Sequence, residues 1–171
     1  MKKYIRILFI PFLIICILAL SACENSKPAL AYRAGQINDK VKNCIEYKKT
    51  EELKEVFCEK LLDNYNRLDD DIERFYEFVD GDIVSFGKTM YGELGSMRDH
   101  EYVKYSFSHH IRKVMSSTGK EYRMIIFSIS VWKDEPERVG VSEIDIIDEE
   151  TDETCSIGDY YIVNPESKGN L

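Results

Sequence analysis

His109 and His110, adjacent in the stretch SFSHHIRKV, are the residues most able to move a proton or hold a metal ion near neutral pH. Their spacing limits what they can do together. The stretch alternates apolar and polar residues as a strand does, and neighbouring strand residues point to opposite faces, so the two rings cannot share one metal ion or one active-site water. His109 is in phase with Val103, Tyr105, Phe107 and Ile111, which makes it the histidine that faces a pocket, with Tyr105 as a hydrogen-bonding neighbour. A half-buried histidine satisfied by backbone or water carries the same signature. Trp132 and the eleven tyrosines are able to line a binding surface, although single aromatics on strands are most often core.

Other chemistry is harder to build. Arg98 sits in a glycine-containing stretch and is placed either to clamp an anion or to remain a solvated charge. Cys155 lies among acids, which raise a thiol's pKa and disfavour a nucleophile. From Glu143 to Asp159 there are eight acids and no Lys or Arg, a concentration of oxygens that a hard cation favours, but without the spacing of a calcium loop. A solvated strand end and turn accounts for it as well. The chain has no phosphate-binding glycine loop, no serine at a nucleophile elbow and no zinc spacing among His and Cys. No catalytic set and no cofactor are therefore predicted.

The first six residues carry Lys2, Lys3 and Arg6, and residues 7–22 are uncharged. That is the plan of a secretory leader; the run is short for a bilayer span, and Pro11 interrupts it as a helix. It ends in Leu20, Ser21, Ala22 and Cys23, which resembles the bacterial lipobox. The resemblance implies cleavage before Cys23, a diacylglyceryl thioether on its sulfur, and a protein anchored on the outer face of the cell membrane. The boundaries that follow are a leader at 1–22, a lipidated cysteine and tether at 23–29, one domain at 30–164 and a tail at 165–171.

Loss of residues 1–22 leaves 149 residues, enough for one domain with a real core. The leader holds three positive charges and no acid, so its removal takes the formal net charge from −8 to −11. So acidic a protein is repelled by an anionic leaflet and excludes nucleic acid as a partner. Three cysteines, Cys44, Cys58 and Cys155, remain for the domain. An odd count forbids a complete disulfide set. A Cys44–Cys58 bridge between antiparallel helices and a pair of buried thiols both fit the pattern.

The elements that must position these residues follow from periodicity. Pro28 suits a helix start, and Ile37, Val41, Cys44 and Ile45 recur at helical spacing up to Lys48 and Lys49. Thr50 caps a second helix with Leu53, Val56, Phe57 and Leu61 on its stripe. Asp70 and Glu73 have capping-box spacing for a third, carrying Ile72, Phe75, Tyr76 and Val79 and ending at Gly81. Residues 82–86 read as a short strand and the glycine-containing residues 87–99 as a loop. Three long strands follow. The first two are joined at Ser116 to Lys120, and the second carries Ile125, Phe127, Ile129 and Val131 on one face. In the third the apolar phase slips between Val141 and Ile144, which signals a β-bulge. Residues 160–163 are expected as a final edge strand. Helices first and hairpin-linked strands after predict an α+β domain.

The passage TEELKEVFCEKL, then LDDDIERFYEFVDGDIVSFG, the loop GELGSMRD and the hairpin from Tyr102 to Ile147 resemble small bacterial lipoproteins whose domain is similar to the nuclear-transport-factor-like, cystatin-like cone. The resemblance implies three N-terminal helices packed on a curved antiparallel sheet of about four strands, and it supplies no catalytic residues. Three roles fit: a non-catalytic module for a small molecule or peptide, a lipoprotein that neutralises or scaffolds another protein, and a small isomerase- or cyclase-like enzyme. The expected partners are the membrane, through Cys23, and a small molecule, peptide or protein.

Overall fold

The computed structural model describes residues 26–166. The leader, Cys23 and residues 167–171 of the tail lie outside them. Helix α1 (Lys27–Glu46) opens with Pro28 in its first turn, as its fixed φ allows, so residues 27–29 of the expected tether are helical. Two short helices follow, α2 (Thr50–Lys54) and α3 (Glu59–Asn64), and then α4 (Leu68–Phe78). The sheet comprises β1 (Ile83–Ser85), β2 (Thr89–Arg98), β3 (Glu101–Ser116), β4 (Glu121–Trp132), β5 (Gly140–Asp148) and β6 (Thr154–Gly158), and a one-turn helix, α5 (Tyr160–Val163), comes last. Among the described residues no helix is long and apolar enough to cross a membrane.

The class is α+β, but the expected architecture is not. Six antiparallel strands replace about four, and the helices are mostly short rather than three regular ones. Three local forces account for the difference. The expected second helix breaks because Val141 at the start of β5 needs backbone partners: its N–H donates to Val56 O and its carbonyl accepts from Cys58 N, each at 2.9 Å. The glycine-containing stretch 89–98 is strand, not loop, because its glycines make room for β3. A Cβ on Gly95 would lie 2.4 Å from the Tyr105 ring, which sits directly opposite. Asp99 and His100, both at positive φ, make the tight hairpin turn instead. Residues 160–163 form helix, not edge strand, since Asp159 caps them by accepting from Tyr161 N at 2.8 Å, and the edge is taken by β6.

β3 is the spine of the sheet. β1 pairs with its C-terminal end and β2 with its N-terminal end, while β4, β5 and β6 follow on the other side. The bulge in β5 is present: Phe127 opposes Glu143 and Ser128 opposes Val141, which leaves Ser142 as the extra residue. That slip lets Val141, Ile144 and Ile146 all reach the core. In β4 it is Tyr122, Met124 and Ile126 that are fully buried, whereas Ile125 and Phe127, grouped together by the sequence pattern, are half-buried.

One large core joins Leu53, Leu61, Ile72, Phe75, Tyr122, Met124, Ile126, Ile144 and Ile157. Burial of each such side chain contributes roughly 1.5–3 kcal/mol. A second cluster forms where the first half of α1 lies on β3 and β4: Leu30 and Ala34 meet Tyr105, Phe107 and Val131. Cys44, Cys58 and Cys155 are buried free thiols, so the bridge does not form. Burial raises the pKa of all three, which keeps them protonated and inert.

Candidate ligand-binding cleft

A cleft of about 280 Å³ opens between α1 and the β2–β3 hairpin. From α1 come Ala31, Gly35 and Asn38, a residue-per-turn row in which a Cβ on Gly35 would meet nothing within 4 Å, so its missing side chain leaves the recess open. From the hairpin come Thr89, Tyr91, Phe107 and His109. Alternation along β3 sends Phe107 and His109 to the same side, as the sequence predicts, and their rings stack with centroids 5.9 Å apart and planes 25° apart.

Two polar groups in this cleft are buried without a protein partner for one atom each. His109 is 4% exposed and its Nε2 makes no hydrogen bond. Asn38 is 5% exposed; its Nδ2 donates to Asp39 Oδ1 at 3.2 Å, while its Oδ1 accepts nothing. An unmet buried polar atom costs about 1–3 kcal/mol, so two in one small cleft are expensive for folding alone. Burial, reinforced by the charge of Lys42, pulls the imidazole pKa down to about 4. The ring is therefore neutral at physiological pH, and an unmet imidazole nitrogen and an unmet carboxamide oxygen lie buried behind the apolar wall of the cleft.

Of Tyr105, His109 and Trp132, the three expected pocket residues, His109 is the one among the residues lining this cleft. Tyr105 shares its face but gives its hydroxyl to Glu93 Oε2 at 2.7 Å, not to the histidine. Burial and that bond push the phenol up to about 12. Trp132 is core at the other end of the strand pair, held between Lys104 Nζ at 3.7 Å and the Arg138 guanidinium at 4.5 Å from its ring centroid. Arg98 is exposed and faces Asp134 at 3.5 Å. His110 points away from His109 into a wider groove of about 640 Å³ that it shares with Arg112, Lys113 and Arg123. Sequence reasoning missed Asn38, although a polar residue in phase with Ala34, Val41 and Ile45 on a buried stripe is the signal that finds it. Tyr91 was hidden by the loop reading.

The acidic stretch does not converge on a cation site. Among the described residues no group of three or more His, Cys, Asp or Glu is placed to hold a metal ion. Asp145 accepts from Ser156 Oγ at 2.6 Å, and Glu143 accepts from Tyr160 N at 2.6 Å. Burial, with Asp145 and Asp159 adding repulsion, raises the Glu143 carboxyl to about 7.

Fold and cleft together define an α+β domain with a small, open, half-apolar recess between its first helix and a hairpin of its sheet. Over residues 40–149, from α1 to the end of β5, the chain matches the family described as DUF5104, a domain of unknown function, and it belongs to that family. No curated protein matches it.

Proposed function

We propose that this protein is an extracytoplasmic lipoprotein, anchored through a diacylglyceryl thioether on Cys23, whose domain binds a small uncharged molecule in the cleft between α1 and the β2–β3 hairpin. The anchor rests on the leader ending in Leu20, Ser21, Ala22 and Cys23. The observation that carries the binding role is that His109 and Asn38, each with one buried side-chain atom that lacks a protein partner, line the same recess. A ligand with a flat apolar body and a hydrogen-bonding group packs on Phe107 and Tyr91, and a small turn of the His109 and Asn38 side chains brings their unmet atoms to it.

Catalysis is the weaker use of this site. A base with a pKa near 4 is poorly matched to proton abstraction near neutrality. Binding asks only that the imidazole stay neutral and fixed.

The test isolates the lipidated protein from envelopes and identifies co-purifying small molecules by mass spectrometry, beside His109→Phe and Asn38→Leu variants. One compound retained by the parent and lost from both variants is expected. Identical extracts from all three would refute the binding role. A Cys23→Ser variant that still partitions with the membrane would refute the anchor separately.

A further inference from the structure

β2 is an edge strand: it pairs with β3 on one side and with no other described strand. Nine of its ten residues are exposed. Natural edges are usually guarded by lysine, proline or a bulge on the outer strand; β2 carries no lysine or proline within its span, and the register shift at Ser96 and Met97 leaves its extra residue, Val103, on β3. Its one acid, Glu93, is paired with Lys27 and accepts from the Tyr105 hydroxyl, and its one base, Arg98, faces Asp134. Exposed large apolar side chains gather here: Met90, Tyr91, Leu94 and Met97.

We propose that β2 pairs antiparallel with β2 of a second copy of this chain, on a two-fold axis through Leu94. Only registers centred on a residue let both strands present matching backbone groups, so neighbouring centres can be compared directly. Centring on Glu93 opposes Glu93 to itself and, twice over by symmetry, Lys88 to Arg98, all like-charge contacts. Centring on Gly95 opposes glycine to glycine and Tyr91 to Asp99. Centring on Leu94 sets Leu94 on Leu94, Tyr91 on Met97, Glu93 on Gly95 and Met90 on the aliphatic stem of Arg98. That register alone matches apolar to apolar on both faces without a like-charge contact.

The pairing also bears on the cleft. Tyr91 lines its mouth, so Met97 of the second copy extends the apolar wall beside it. Two ten-residue strands bury an area below about 1,200 Å², at the low end of specific interfaces, so the dimer is reversible. It does not depend on the ligand.

Cross-linking of the full chain tests the register. Opposed residues in an antiparallel pair have Cβ atoms about 4.5–5.5 Å apart, close to disulfide range. Leu94→Cys should give a disulfide-linked dimer on mild oxidation in intact cells, above the background of the parent chain. Tyr91→Cys and Met97→Cys should each remain monomeric but link to each other when co-expressed. Leu94→Lys should halve the sedimenting mass of the detergent-solubilised protein. A Leu94→Cys chain that stays monomeric, that links to a different protein, or that links no better than Tyr91→Cys alone overturns the proposal, as does a parent chain that is monomeric at every concentration.

Discussion

The Tyr105 hydroxyl donates to Glu93 Oε2 across the β2–β3 hairpin, and Glu93 in turn holds Lys27 in the first turn of α1. The three groups tie a strand, its neighbour and a helix N-terminus at the end of the second apolar cluster. Attraction to Lys27, with the Tyr105 bond adding to it, lowers the Glu93 pKa, so the carboxylate is charged whenever the tie is needed. Because the tie holds the first turn of α1, one turn before the cleft residue Ala31, it governs how firmly that end of the helix sits on the sheet.

Tyr105→Phe should remove the bond and keep the ring. The expected loss is about 1 kcal/mol, the net worth of one hydrogen bond. The change should be concentrated in α1. Amide hydrogen exchange resolves it: faster exchange confined to the first half of α1 is expected, and a uniform change across the sheet would count against the tie.

His109 should make the protein acid-sensitive. Its native pKa of about 4 lies below the ordinary 6.5, so as pH falls from 6.5 towards 4 the unfolded chain takes up a proton that the native state refuses. The stability from a neutral ring is present above 6.5 and drains away below it. Between pH 7 and pH 5 the loss is on the order of 2 kcal/mol. His109→Phe should abolish that part of the dependence in urea unfolding at the two pH values. An unchanged slope would mean that the ring is solvated.

Glu143 should act in the opposite sense. Its native pKa of about 7 lies above the ordinary 4.5, so between those values the folded protein holds a proton that the unfolded chain has released. Its contribution is intact below 4.5 and disappears as pH rises through 7. Glu143→Gln keeps an acceptor for Tyr160 N and should be the more stable protein at pH 8, by on the order of 2 kcal/mol, with the advantage gone near pH 4. The two groups oppose each other between pH 4.5 and 6.5. The parent's profile should therefore be flatter there than that of either variant, a comparison one set of urea titrations supplies.

What the sequence reveals about this molecule depends on whether a residue's signal is local. The phase of Tyr105, Phe107, His109 and Ile111 is a property of one strand, and it holds. The slip between Val141 and Ile144 is equally local and marks a real bulge. Gly92 and Gly95 misled because their cause lies on another strand: they are small to admit Ser108 and Tyr105, whereas glycine read alone signals a turn. Val56, Phe57 and Leu61 keep helical spacing, yet the unmet backbone of Val141, far along the chain, takes the residues between two helices into a bridge. Half of the cleft was legible for the same reason. His109 announced itself, while Asn38 and Tyr91 acquire meaning only when α1 is laid against the hairpin.

Asp71 shows the same dependence in energetic form. It lies in the helical phase of Leu68, Ile72 and Phe75 and is 1% exposed, so α4 buries a carboxylate among its apolar side chains. Three donors make that tolerable: the Tyr65 hydroxyl, the Arg74 guanidinium and the backbone N–H of Gly158 at 3.3 Å. The last of these crosses from α4 to β6 and helps hold that edge strand on the core. Asp71→Ala strands a buried N–H and a phenol without an acceptor and should cost about 2–4 kcal/mol in chemical denaturation. Arg74→Ala should cost well under that, since the guanidinium is more than half exposed and solvent replaces it. If the two substitutions prove equally costly, the ion pair rather than the bonds to Tyr65 and Gly158 secures α4 to the sheet. The expected order, Asp71 well above Arg74, follows from burial alone.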